Sequence, residues 1–133
     1  MNNNYGIDIW SDGNFIIEDG LAKVNHDCKP SLISIVKDIR KQDFKGPLLL
    51  RFPHITNKQI TTLFDTFNAS IKEYDYKGTF SAVFPLKVNQ LPNFVHPLVS
   101  IGKKYNYGLE AGSKAELIIA MTYNTIGSPI TIN

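Results

Sequence analysis

The sequence predicts an α/β protein, and two observations carry that prediction. Over residues 79–133, short strand-like apolar runs alternate with stretches of helical period, the rhythm of βαβ units on a parallel sheet. Over residues 5–24, apolar pairs are punctuated by Asp12 with Gly13 and Asp19 with Gly20, the turn dipeptides of hairpins, so a small β section comes first. An N-terminal β/α section is therefore expected over 1–78 and the repeated β/α units over 79–133.

Each element has its own signal. In the β section, Ile7 with Ile9 and the run 15–17 supply the apolar positions. Leu32, Ile35, Val36 and Ile39 then repeat at i, i+3, i+4, i+7, with Lys37, Arg40 and Lys41 gathered late, where cations suit a helix C-terminus; a helix is expected over about 31–42. Gly46 and Pro47 introduce the apolar run 48–52, ended by Pro53, which reads as a buried strand. Asn57 can cap the next helix, whose stripe is Ile60, Leu63, Phe64, Phe67, Ile71 and Tyr74 before Gly78 stops it. There follow a strand over 80–88, a helix over about 93–104, a strand over 107–111, a helix over about 113–123 and a strand over 129–133. The last run is β-branched and follows a turn signal, so more chain is expected beyond it.

Composition narrows the function classes. The 133 residues suffice for one small domain, and 43% apolar content excludes disorder and collagen. A net charge of +2, with Lys and Arg scattered rather than clustered, marks neither a nucleic-acid face nor a polybasic membrane surface. The single cysteine, Cys28, cannot form an internal disulfide, and the first residues carry no secretory pattern, which points to a reducing, cytoplasmic location. No stretch approaches the roughly 20 apolar residues of a membrane helix.

Chemistry concentrates in the 80–88 strand. Phe80, Ala82, Phe84, Leu86 and Val88 share one parity, a bulky face that can pack on helices, while the smaller face ends in Lys87. An ammonium at the C-terminal end of a parallel strand stands where α/β folds place their sites. The plainer reading is a lysine reaching into water, and Pro85 is able to bend the strand and break the parity. Glu110 ends the next strand and can reach the same end of the sheet, or can simply complement the dipole of the helix that follows. Ser113 and Glu116 form the S-x-x-E pattern of a capping box, which is the preferred role for Glu116. Gly112, Ser113 and Lys114 lack the residue order of a nucleotide phosphate loop. His26, Asp27 and Cys28 are contiguous, without the spacing of a zinc site, and His54 and His96 each adjoin proline in turn or helix-start positions; no metal site is assigned.

Two segments resemble a known family. Phe84, Pro85, Leu86, Lys87, Val88, Asn89 and Gln90, followed by Gly108, Leu109, Glu110, Ala111, Gly112, Ser113, Lys114, Ala115, Glu116 and Leu117, resemble the biosynthetic arginine decarboxylases, in the barrel-type group that includes ornithine and diaminopimelate decarboxylases. The segment from Tyr5 to Trp10 and the run Leu48, Leu49, Leu50, Arg51, Phe52, Pro53 and His54 resemble the arginine branch in particular. The resemblance implies that 79–133 are the first units of a (β/α)8 TIM-type barrel, incomplete in this chain, since such a barrel takes about 250 residues. It implies that Lys87 holds pyridoxal 5'-phosphate as a Schiff base, with Glu110 as its electrostatic partner. It also implies a lyase that converts L-arginine to agmatine and carbon dioxide in polyamine and spermidine biosynthesis, with magnesium as an accessory ion and a homo-oligomeric complete enzyme.

These implications leave the 133-residue chain, as the N-terminal part, expected to be inactive alone. No glycine-rich phosphate clamp and no carboxylate pair for a guanidinium can be assigned in it. Two alternatives stay open: an inactive fragment or noncatalytic pyridoxal-phosphate-binding protein, and a related amino-acid racemase.

Overall fold

A computed structural model of the chain describes residues 6–133; Tyr5, the first residue of the expected β section, lies outside them. The chain divides into two compact units, one ending at Arg51 and the other spanning Phe52–Asn133.

In the first unit, Gly6 adopts a left-handed φ of 66° and opens a helical turn, α1 (Ile7–Trp10). This corrects the extended chain expected at Ile7 and Ile9. The Ile9 amide donates to the Gly6 carbonyl at 2.8 Å and the Ser11 amide to that of Ile7 at 3.0 Å, and two alternating residues are too short a pattern to enforce a strand. The hairpin that follows meets expectation. Strands β1 (Phe15–Glu18) and β2 (Leu21–Val24) pair antiparallel with Glu18 opposite Leu21. The two residues between them, Asp19 at φ 55° and Gly20 at φ 71°, have the positive dihedrals that match a hairpin's twist. Lys23 crosses the turn to Glu18 at 2.8 Å and Asp19 at 2.9 Å. Its ammonium holds the Glu18 carboxyl below the usual carboxylate range, and the two acids hold Lys23 above its own. Helix α2 (Leu32–Arg40) starts at Ser31, whose Oγ accepts from the Ser34 amide at 3.1 Å.

The buried strand expected over 48–52 is absent among the described residues, and Leu49 is 73% exposed. Flanking prolines and an apolar run are compatible with a strand, but a strand also needs a partner, and here Pro53 begins a helix instead.

That helix, α3 (Pro53–Glu73), opens the second unit four residues ahead of the expected cap Asn57. Proline at the first helical position loses no hydrogen bond, because that amide has no partner in a helix. Ile60 and Phe64 of its stripe are buried, and Phe64 stacks on Tyr105 with ring centroids 4.5 Å apart. The helix precedes residue 79, yet its packing places it with the strands that follow.

The alternation over 79–133 is present as a three-stranded parallel sheet in the order β3 (Val83–Pro85), β4 (Gly108–Ala111), β5 (Ile130–Ile132). Helix α4 (Pro92–Gly102) makes the first crossover and α5 (Lys114–Tyr123) the second. The register sets Phe84, Leu109 and Ile130 side by side on one face and Pro85, Glu110 and Thr131 on the other. The first face is covered: Leu109 joins Val95, Leu98 and Val99 of α4 and Ala120 of α5 in the core. Complete burial of one leucine there contributes about 1.5–3 kcal/mol. Gly108 is required by β5, since a Cβ at this position would lie 2.0 Å from the Pro129 carbonyl oxygen.

The strand expected over 80–88 is shorter than its parity suggested. Pro85 has no amide to continue the ladder, and the chain turns through a single 3-10 turn, Leu86–Val88. The alternation ends there, with Leu86 fully buried and Val88, nominally on the same face, 67% exposed.

Candidate functional site at the C-terminal end of the parallel sheet

Lys87 lies in the 3-10 turn that leaves β3, not in the strand itself. Leu86 fills the core beside it and anchors the turn, leaving Lys87 exposed. Among the described residues no hydrogen bond or ion pair engages its amine. Glu110 is half-buried, the third residue of β4, in register with Pro85. Its Oε1 accepts from Asn133 Nδ2 at 3.5 Å. Both residues therefore stand at the C-terminal end of adjacent parallel strands, on neighbouring segments, and no ion pair joins them among the described residues.

Glu116 behaves as the capping pattern predicts, and does more. Ser113 Oγ accepts from the Glu116 amide at 3.2 Å, which caps α5. The Glu116 carboxylate is buried and accepts from the Gly112 amide at 2.7 Å through Oε2 and from Gln90 Nε2 at 2.8 Å through Oε1. Gln90 is the residue that sequence reasoning did not single out for a role. Its partner is 26 positions away, and no local pattern reports a contact of that range. Asn89 Oδ1 accepts from the Leu91 amide at 3.0 Å and turns the chain into α4. With Glu116 already on the Gly112 amide, a second anion at the start of α5 would face a carboxylate.

The remaining candidates are dispersed. Cys28 is exposed. His96 packs edge-on to the Tyr123 ring, and His54 packs against Phe52. Among the described residues no three His, Cys, Asp or Glu side chains are grouped to hold a metal ion. An open cavity lies at the opposite end of the strands, lined by residues that include Phe64, Thr79, Phe80 and Lys104. No helix among the described residues is long and apolar enough to cross a membrane.

Comparison with known proteins gives this arrangement a context. No family model matches the chain. The biosynthetic arginine decarboxylase of Tolumonas auensis is 38% identical over an alignment of 138 residues, covering 97% of this chain and 22% of that protein. The protein of the same name from Prochlorococcus marinus is 38% identical over 122 residues, 88% of this chain and 19% of its own length. The crystal structure of the biosynthetic arginine decarboxylase of Campylobacter jejuni superposes with a TM-score of 0.94 at 59% identity, over 98% of this chain and 22% of that one. The chain thus spans about a fifth of the length of the curated relatives it matches. Sequence and backbone agree, and the resemblance carried by the segments around Lys87 and Glu110 holds: over nearly all of its residues this chain is similar to a stretch of biosynthetic arginine decarboxylases that makes up about one fifth of their length.

Proposed function

We propose that this chain is the N-terminal part of a lyase that converts L-arginine to agmatine and carbon dioxide in cytoplasmic polyamine biosynthesis, and that Lys87 is the covalent anchor for pyridoxal 5'-phosphate. The observation that carries the reading is the placement of Lys87, in a chain 59% identical to part of an arginine decarboxylase. The lysine sits in a turn leaving the C-terminal end of a parallel strand, beside the end of the strand that bears Glu110. By the same reading, 79–133 are the first units of a (β/α)8 barrel, 1–78 are the N-terminal section that precedes them and gives α3 to their core, and the complete enzyme is a homo-oligomer.

The residues present fit that anchor. An exposed primary amine with no hydrogen bond or ion pair to a described residue is open to an aldehyde, and lysine nitrogen is the side chain suited to reversible bonding with a carbonyl. When bound, the coenzyme supplies a sink for the electrons left as carbon dioxide departs. The rigid part of the work belongs to the chain. Leu86, fully buried, fixes the turn on the core, so Lys87 Cα is held while no described residue engages its amine. Glu110 offers a carboxylate from the adjacent strand, on the sheet face that α4 and α5 leave uncovered, where it favours a cation over a neutral group.

The test is direct. The chain is incubated with pyridoxal phosphate, reduced with borohydride and mapped by peptide mass. Modification at Lys87 well above the other lysines, and lost in Lys87→Ala, is the expected outcome. A label spread evenly over surface lysines, unchanged by the substitution, would overturn the anchor.

A further inference from the structure

We propose that Glu116 is a positioning residue for the Lys87 turn: its buried carboxylate clamps the segment that follows β3 to the loop that follows β4. The inference deepens the proposed function and rests on it for what is being positioned.

A helix cap accounts for only part of what Glu116 does. In a capping box the acid reaches back to the amide of the capping residue itself. Here Oε2 reaches one residue further, to the Gly112 amide at 2.7 Å, and Oε1 takes a second donor, Gln90 Nε2 at 2.8 Å, from a different crossover. The capping task alone needs no such partner. The two donors also have meaningful addresses. Gln90 is three residues past Lys87, and Gly112 is two residues past Glu110, so one carboxylate joins the segments that carry both candidate site residues. Glu116 is only 7% exposed, and bonds from N–H donors to a buried carboxylate are among the stronger ones in a protein. Upstream, Leu86 is sealed in the core; downstream, Asn89 turns the chain into α4. The stretch from 86 to 91 is thereby fixed at both ends and tied at Gln90.

The chemistry of the pair suggests a reciprocal test. Gln90→Glu sets two carboxylates against each other and breaks the clamp. Glu116→Gln keeps it, because the introduced amide can accept from Gly112 and donate to the oxygen of a rotated Gln90. Combining Gln90→Glu with Glu116→Gln restores a donor and an acceptor in swapped places. In the 133-residue chain, Gln90→Glu is expected to raise amide hydrogen exchange about tenfold at 87–90, with the core amides of β4 unchanged, and to slow borohydride-trapped labelling of Lys87 by pyridoxal phosphate by a similar factor. The double substitution should return both to within about twofold of the starting chain, and Glu116→Gln alone should stay there too.

Unchanged exchange at 87–90 in Gln90→Glu would overturn the clamp. Altered exchange with unaltered Lys87 labelling would reduce Glu116 to a structural cap and overturn its positioning role. No Lys87 label in the unsubstituted chain would overturn the anchor instead, and the exchange measurement would still decide whether the clamp exists.

Discussion

Pro85 and Glu110 are register partners across the parallel ladder between β3 and β4. β3 finishes at this pairing and β4 runs one residue past it, so the lysine turn departs from β3 at the level where the carboxylate stands on β4. Lys87 is exposed and outside the core, so Lys87→Ala is expected to change the stability of the chain by no more than about 0.5 kcal/mol. In a complete form of the enzyme the same substitution should abolish agmatine formation from arginine. Thermal melting checks the first outcome and product chromatography the second; a fully active alanine variant would refute the anchor.

Gly108 leaves no room for a side chain between β4 and the chain entering β5. A methyl group at that position would lie 2.0 Å from a carbonyl oxygen, a backbone atom that cannot swing aside as a side chain would. Gly108→Ala should therefore cost about 3 kcal/mol or more, seen as a lowered midpoint in urea.

Leu109 and Leu49 make a contrasting pair. Leu109 is fully buried in the core of the second unit, and Leu49 is 73% exposed in a run that the sequence casts as a buried strand. Leu109→Ala is expected to destabilise by about 2–5 kcal/mol and Leu49→Ala by less than about 0.5 kcal/mol. A large loss from Leu49→Ala would reinstate a packed strand at 48–52.

The hairpin of the first unit carries a pH signature. Lys23, through its hydrogen bond and charge, holds Glu18 below the usual carboxylate range, so this pairing stabilises the fold above the unfolded value of about 4.3 and is lost as pH falls through the lowered pKa. Glu18 and Asp19 hold Lys23 above its ordinary value, so its share is complete below about 10.4 and is lost as pH rises through the raised pKa. Lys23→Met should flatten both edges of the curve of hairpin amide protection against pH, and concentrated salt should flatten them in the unsubstituted chain.

Much of the second unit was legible in the sequence, and the misses share a cause. The S-x-x-E pattern announced α5 because a cap is a local contact, and Asp19 with Gly20 announced the hairpin because its dihedrals are local too. The three parallel strands followed from alternation alone. The start of α3 was missed because Pro53 serves equally as a strand's end and a helix's beginning, and only packing chooses. The run 48–52 failed for want of a pairing partner, which no single segment reveals. In the candidate site, Lys87 and Glu110 could be named from strand ends and from resemblance, whereas Gln90 could not, since its partner is brought near only by two crossovers.

One imino acid divides framework from workshop. Because Pro85 ends the ladder, residues beyond it answer to no sheet geometry, and Val88, already 67% exposed, answers to little packing. Substitutions at Val88, on the exposed side of the lysine, can therefore retune its surroundings while Leu86 keeps the scaffold intact, a division of labour that lets chemistry drift without endangering folding.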